Sequence, residues 1–271
     1  MAHHKLTGGN LTEAGRLQIP LTSFYIGIEP SVIRLLDKTT RFFVKVKARP
    51  VLAILSRILG RFLPTGEVIT YEQATDFIDA ISVLENTEIT VGPCICQKAL
   101  GKRKGTYVKD LFVLYGAEAF RRADDDHRNL TPEEAKALLH DLHEEGLVPS
   151  FFACMHSKGW AYVLCHCEKE ICFPMRAHLA AGGVFSPGPD IVTLYKDKCT
   201  GCGICVDTCH FGANSMVNGT SAVDLSKCYG CGLCVSSCTG EARIMIKRED
   251  YRNQYYPIEL VSKGPISTIA S

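Results

Sequence analysis

Between Thr70 and Leu164 the apolar residues change period several times, from helical spacing to the short runs and alternation of strands. Ala74, Phe77, Ile78 and Ile81 recur at helical spacing behind Thr70-Tyr71-Glu72-Gln73, which has capping-box order and opens a helix. Glu88-Ile89-Thr90-Val91 reads as a strand that runs into Cys94. Val108 to Arg122 reads as a second helix. A third has Thr131 as N-cap, Pro132 at its first position and Glu134 at its third, and stops before Gly146. Leu147 to Phe152 and Ala161 to Leu164 read as two strands joined by a turn around Ser157 to Gly159. These elements predict an α/β domain over residues 67–186.

Ahead of it, in an extension over residues 1–66, Pro50 to Pro64 form the longest apolar stretch. As a helix it gathers Val51, Ile54, Leu55, Ile58, Leu59 and Phe62 on one stripe, opposite Ala53, Ser56, Arg57 and Gly60. Arg57 and Arg61 interrupt it, and it is shorter than the roughly 20 residues a membrane span requires, so it is not expected to cross a bilayer. With Phe42 and Phe43 nearby, the extension is expected to dock a partner. Lys45, Lys47 and Arg49 also suit peripheral contact with an anionic membrane surface.

Downstream, over residues 187–250, Ile191, Val192, Leu194 and Tyr195 predict a first strand and Ile244, Met245 and Ile246 a last one. Val217-Asn218-Gly219-Thr220 carries the Asn-Gly signal of a tight hairpin between them. Residues 251–271 read as a tail. Within this region Cys199, Cys202, Cys205 and Cys209 are followed 29 residues later by Cys228, Cys231, Cys234 and Cys238. The spacing C-x2-C-x2-C-x3-C thus occurs twice. A loop with cysteines at i, i+3 and i+6 supplies three thiolates to one cubane, and the cysteine at i+10 points toward the neighbouring cluster. Cys199, Cys202, Cys205 and Cys238 are therefore expected to hold one [4Fe-4S] cluster. Cys228, Cys231, Cys234 and Cys209 are expected to hold the other.

The repeat extends to Gly201 over Gly230, Gly203 over Gly232 and Val206 over Val235. From about Asp190 to Lys247 the chain resembles the bacterial two-cluster ferredoxins, which implies two [4Fe-4S] cubanes between short hairpins in an electron carrier. Zinc ribbons and disulfide frameworks do not repeat this spacing. Where that family usually has proline after the fourth cysteine, this chain has His210 and Thr239, each with an N-H available for a hydrogen bond to sulfur.

Six further cysteines lie upstream, and five of them fall in two knots, GPCICQKA and LCHCEKEICF. Residues i and i+2 of an extended chain face the same way about 6.6 Å apart, wider than two thiolates on one zinc and better suited to a cubane. A third [4Fe-4S] cluster is expected there, held by Cys94, Cys96, Cys165 and Cys167 with Cys172 as the competing ligand; zinc is the alternative. Cys154 reads as core. His166 reads as an exposed loop residue or an alternate ligand, and His140 and His143 as solvent-facing. Lys98, Lys102, Arg103 and Lys104 suit an acidic partner or a solvated loop, whereas Asp124, Asp125 and Asp126 read as a helix end without chemistry.

Composition narrows the setting. The 271 residues carry 30 basic and 29 acidic side chains for a net charge of +1, so no global field draws nucleic acid. The 14 cysteines, with no signal-peptide pattern at the N-terminus, predict a reducing cytoplasm, and oxygen-sensitive clusters suit an anaerobic one. There is no G-x-G-x-x-G after a strand, no P-loop and no nucleophile-base pair.

The sequence therefore reads as an α+β protein in which a cysteine-containing α/β domain precedes a two-cluster ferredoxin fold. The whole chain resembles iron-sulfur electron-transfer subunits of anaerobic oxidoreductase complexes, which implies a catalytic subunit or redox protein as partner. Two other readings are a reductase with an active-site cluster in the upstream domain and a redox-sensing regulator, the second disfavoured by Glu133, Glu134, Asp141, Glu144 and Glu145 on the third helix.

Overall fold

A computed structural model describes residues 18–59, 65–84, 86–153 and 162–252. Cys154, Phe62 and the expected turn at Ser157 to Gly159 lie outside them. The centre is a seven-stranded sheet of order β4-β2-β3-β6-β5-β1-β7. Its strands are β1 (Thr65–Val68), β2 (Ile89–Pro93), β3 (Val108–Val113), β4 (Arg128–Leu130), β5 (Val148–Ala153), β6 (Tyr162–Cys167) and β7 (Phe185–Ser186). All neighbours are antiparallel except β1 and β7.

Register sorts the side chains onto two faces. Leu111, Leu164 and Phe151 lie opposite one another, and Phe112, Val163 and Phe152 form the next row on the other face. The first face packs against helices α3 (Tyr71–Ser82) and α6 (Pro132–Glu144), whose Phe77, Ile78 and Leu139 are buried with it. Both helices begin in capping boxes, at Thr70 as expected and at Thr131, the expected N-cap.

The second face carries Cys165, Cys167 and Asp110 beyond the Phe112 row. It is covered by α4 (Ile95–Leu100), α5 (Tyr115–Ala123) and α7 (Phe173–Ala181), and across these three lies the long helix α1 (Gln18–Lys45). Arg176 on α7 anchors α1 through Asp37, with Nη1 to Oδ1 at 2.5 Å. The short helix α2 (Arg49–Leu59) folds back onto α1 and α7 with Leu52 buried, while Val51 and Ile54 of the expected stripe are 48% and 58% exposed.

One expected element is corrected. Residues 108–122 are not one helix but strand β3 followed by α5, separated at Leu114, whose φ of 58° ends the strand. Buried on both sides, β3 lacks the alternation that marks a half-exposed strand.

In the C-terminal unit β8 (Asp190–Leu194) pairs with β11 (Arg243–Lys247), and β9 (Asn214–Val217) with β10 (Thr220–Val223). Asn218 and Gly219, at φ 50° and 77°, make the turn expected between β9 and β10, because that turn needs two positive φ angles in succession. Short helices α8 (Ile204–Asp207) and α9 (Leu233–Ser236) follow the two cysteine loops.

This unit docks on the second face of the large sheet. Phe211 stacks on Tyr229 with ring centres 4.4 Å apart, and Tyr229 meets His178 of α7 edge-on at 4.8 Å. Gln73 Nε2 donates to Asp190 Oδ2 at 2.6 Å, and Gly188 N donates to Tyr229 O at 3.0 Å.

Candidate metal centres

Each loop of the C-terminal unit wraps backward through its cysteines and enters a one-turn helix at a glycine, Gly203 or Gly232, with the same φ of 80°. The two halves also aim equivalent donors at sulfur. Ala213 N reaches Cys209 Sγ at 3.2 Å, and Ala242 N reaches Cys238 Sγ at 3.4 Å. The donors are thus four residues beyond the fourth cysteine of each motif. His210 instead ties the unit to the upstream domain, donating from Nε2 to Gly146 O at 2.9 Å and accepting from Lys169 N at Nδ1 over 3.3 Å.

Arg243, at the start of β11, is 3% exposed and lies between the two loops. Its Nη2 donates to Cys205 Sγ at 3.3 Å and to Ser221 Oγ, and its Nη1 to Asn214 Oδ1 at 2.9 Å and Cys234 Sγ at 3.6 Å. Cys205 belongs to one expected ligand set and Cys234 to the other. No sequence motif marks this arginine; its place follows from the pairing of β11 with β8.

Upstream, the fold gathers five cysteines on the second face of the sheet. Cys165 and Cys167 project from β6 as alternate residues, while Cys94 is the N-cap of α4 and Cys172 the N-cap of α7. Cys96 sits in the first turn of α4. The Cys172 thiol is in hydrogen-bonding reach of Cys96 and Cys167, which puts it inside the nest. Helix-start N-H groups face the sulfurs, with Gln97 serving Cys94, Phe173 serving Cys96 and Met175 serving Cys172. Asp110 accepts from Ile95 N at 3.1 Å beside them, and burial pushes its carboxyl up to about 6.

Residues 198–250 match the 4Fe-4S dicluster domain family. The C-terminal unit is therefore a ferredoxin-type domain that binds [4Fe-4S] and carries an iron-sulfur electron-transfer role. Neither a curated protein nor a solved structure matches the chain.

The donor chemistry of the dicluster domain fits that group. Cysteine sulfurs supply the ligands, while N-H donors and a buried guanidinium balance the negative charge that thiolates and sulfides bring. The upstream nest shares the sulfurs and the helix-start N-H groups, but the carboxyl of Asp110 lies beside it instead of a guanidinium. Burial, then Asp110 and the neighbouring sulfurs, raises Cys165 far above the ordinary thiol range, and burial does the same to Cys94 and Cys172. Burial of this kind favours neutral thiols unless a cation offsets the charge.

Other expected site residues fall elsewhere. His166 is not an exposed loop residue: it lies on β6 between Cys165 and Cys167, so it faces the opposite side of the sheet, 4% exposed, and burial lowers its imidazole to about 3. His140 is exposed, whereas His143 is half-buried and stacks on Tyr71 at 4.8 Å. Lys98 pairs with Asp124 and Asp126 at 3.2 and 3.1 Å, and Lys104 with Glu168 and Glu170, both at 3.3 Å. Among the described residues no helix is long and apolar enough to cross a membrane.

Proposed function

We propose that this protein is a single-electron relay of a cytoplasmic, anaerobic oxidoreductase system. Cys199, Cys202, Cys205 and Cys238 would hold one [4Fe-4S] cluster, and Cys228, Cys231, Cys234 and Cys209 a second. A third would be held in the upstream nest by four of Cys94, Cys96, Cys165, Cys167 and Cys172. Such clusters supply one-electron chemistry without proton transfer to their ligands.

The observation that supports this reading is a continuous buried apolar cluster. It joins Cys209, Cys231 and Tyr229 of the dicluster domain through Phe211, Phe185 and Met175 to Cys167 and Cys172. Its inner members Phe211, Phe185, Met175, Cys167 and Cys172 are buried, and Cys209, Tyr229 and Cys231 are partly so. At the far end Cys202 is exposed, which suits contact with a redox protein. On the outer side of α1, Phe24, Leu35 and Phe42 are 66%, 65% and 59% exposed, a surface suited to a catalytic subunit.

The deciding experiment is iron, zinc and sulfide per chain on anaerobically purified protein, with EPR after reduction. About twelve irons are expected for three cubanes. About eight irons with one zinc would reduce the upstream nest to a structural site.

A further inference from the structure

Beneath α1 a cavity of about 380 Å³ opens directly on the cysteine nest, and Cys94, Cys96, Cys165, Cys167 and Cys172 all border it. The dicluster domain offers a comparison at another group of cysteines. Around Cys209, Cys228, Cys231 and Cys234 the corresponding cavity is about 20 Å³. The upstream cavity is thus far larger than the space at those four cysteines and is in the size range of small-molecule sites.

Its walls are apolar and come from three directions. Ile28, Val32 and Ile33 line it from α1, Phe152 and Val163 from the sheet, and Ala177 from α7. Polar residues border it in fewer places, among them Thr39 and Thr40 of α1, Lys109 and Asp110 of β3, and a hydrogen-bonded pair on α1 in which Tyr25 donates its hydroxyl to Glu29 Oε1. Glu29 borders the cavity, and burial, opposed by the Tyr25 bond and assisted by Asp110, pushes its carboxyl up to about 8. When the carboxyl is neutral and Oε1 accepts from Tyr25, Oε2 is the oxygen that would act as a donor.

We infer that this cavity binds an uncharged, mainly apolar organic carbonyl compound beside the cysteine nest, its hydrocarbon part against the α1 and α7 walls and its carbonyl oxygen at Glu29. An anionic ligand is disfavoured, because three carboxyl residues, Glu29, Asp110 and Glu168, border the space against one lysine, Lys109. A polar ligand would leave most of its groups without partners on such walls. The inference rests on the upstream cluster of the proposed function only for the identity of the ligand's neighbour.

Equilibrium dialysis of the full chain with prodan, an uncharged naphthalene ketone, tests it, with iron counted in the same samples. Saturable binding of one equivalent per chain is expected. Ala177→Phe from α7 and Val32→Phe from α1 should each weaken binding at least about tenfold by filling the space, with iron unchanged. Glu29→Leu should weaken it about tenfold through loss of one hydrogen bond at an enclosed site, while Glu29→Gln, which keeps a donor, stays close to wild type. No saturable binding by iron-replete protein, or binding indifferent to both filling variants, overturns the inference. Equal affinity in Glu29→Leu overturns the role given to that carboxyl. One equivalent bound by a chain holding only about eight irons supports the cavity site and overturns the upstream cluster instead.

Discussion

Arg243 donates to Cys205 Sγ over 3.3 Å from a position that also reaches Cys234 Sγ at 3.6 Å, so one buried guanidinium serves both halves of the dicluster domain. Reduction adds negative charge to a cluster, and a nearby fixed cation favours the reduced form. Ser221 and Asn214 hold the guanidinium in place from its remaining donors.

Arg243→Gln is expected to lower the potentials of the dicluster domain by on the order of 60 mV, the equivalent of about 1.4 kcal/mol for one electron. Arg243→Lys keeps the charge but loses the forked geometry, and should fall between the two. Redox titration followed by EPR reads the shift. Unchanged potentials in Arg243→Gln at full iron content would remove the electrostatic role.

His178 on α7 carries a pH dependence. Its Nδ1 accepts from Val184 N at 3.3 Å and Phe185 N at 3.0 Å, and burial lowers the imidazole from 6.5 to about 4. The folded chain therefore takes up this proton less readily than the unfolded chain. Stability is whole above about 6.5 and drains as pH falls toward 4, by up to about 3 kcal/mol at the lower end. Thermal unfolding from pH 7.5 to 5 should show Tm falling more steeply in wild type than in His178→Leu. Parallel slopes would assign the acid sensitivity to other groups.

How much of this molecule was legible beforehand depends on how local each signal is. The N-caps at Thr70 and Thr131 and the Asn218-Gly219 turn need only neighbouring residues, and all three form as read. The eight cysteines of the dicluster domain announce themselves by spacing. Strand β3 was hidden because Lys109 and Asp110, though polar, are 1% and 3% exposed, so a doubly buried strand imitates the polar stripe of a helix. Helix α1 was hidden for a related reason: Ile33 faces inward while Phe24 and Leu35 face outward, which blurs the stripe, and Pro30 reads as a breaker. The cavity needs α1 laid across α4 and α7, and no window of sequence contains that arrangement.

Gly188 sets how closely the dicluster domain approaches the large sheet. A Cβ there would lie 2.0 Å from Val68 O, a backbone atom that cannot swing aside. Gly188→Ala is expected to cost on the order of 1–3 kcal/mol and to loosen the docking without emptying either cysteine loop. Faster proteolysis between residues 182 and 190 with iron content preserved is the expected pattern. Cleavage as slow as in wild type would mean the interface absorbs the methyl group.

Cys172 gives the most direct test of the upstream nest. Its thiol lies in hydrogen-bonding reach of Cys96 from one knot and Cys167 from the other, with the Met175 N-H beside it at the start of α7. A central thiol of this kind is either a ligand or a packed neutral group, and the two differ in outcome. As a ligand, its replacement in Cys172→Ala should remove about four irons per chain, leave the EPR of the dicluster domain in place and change Tm only as loss of a bound group would. As a packed thiol, the same substitution leaves a cavity smaller than one methylene pair, costs about 1 kcal/mol and keeps all the iron. Cys172→Ser separates the cases further, since a hydroxyl in that apolar setting is a poor substitute for a thiolate but nearly matches the volume of a thiol. Retention of about twelve irons in both variants would remove Cys172 from the ligand set and return it to Cys94, Cys96, Cys165 and Cys167.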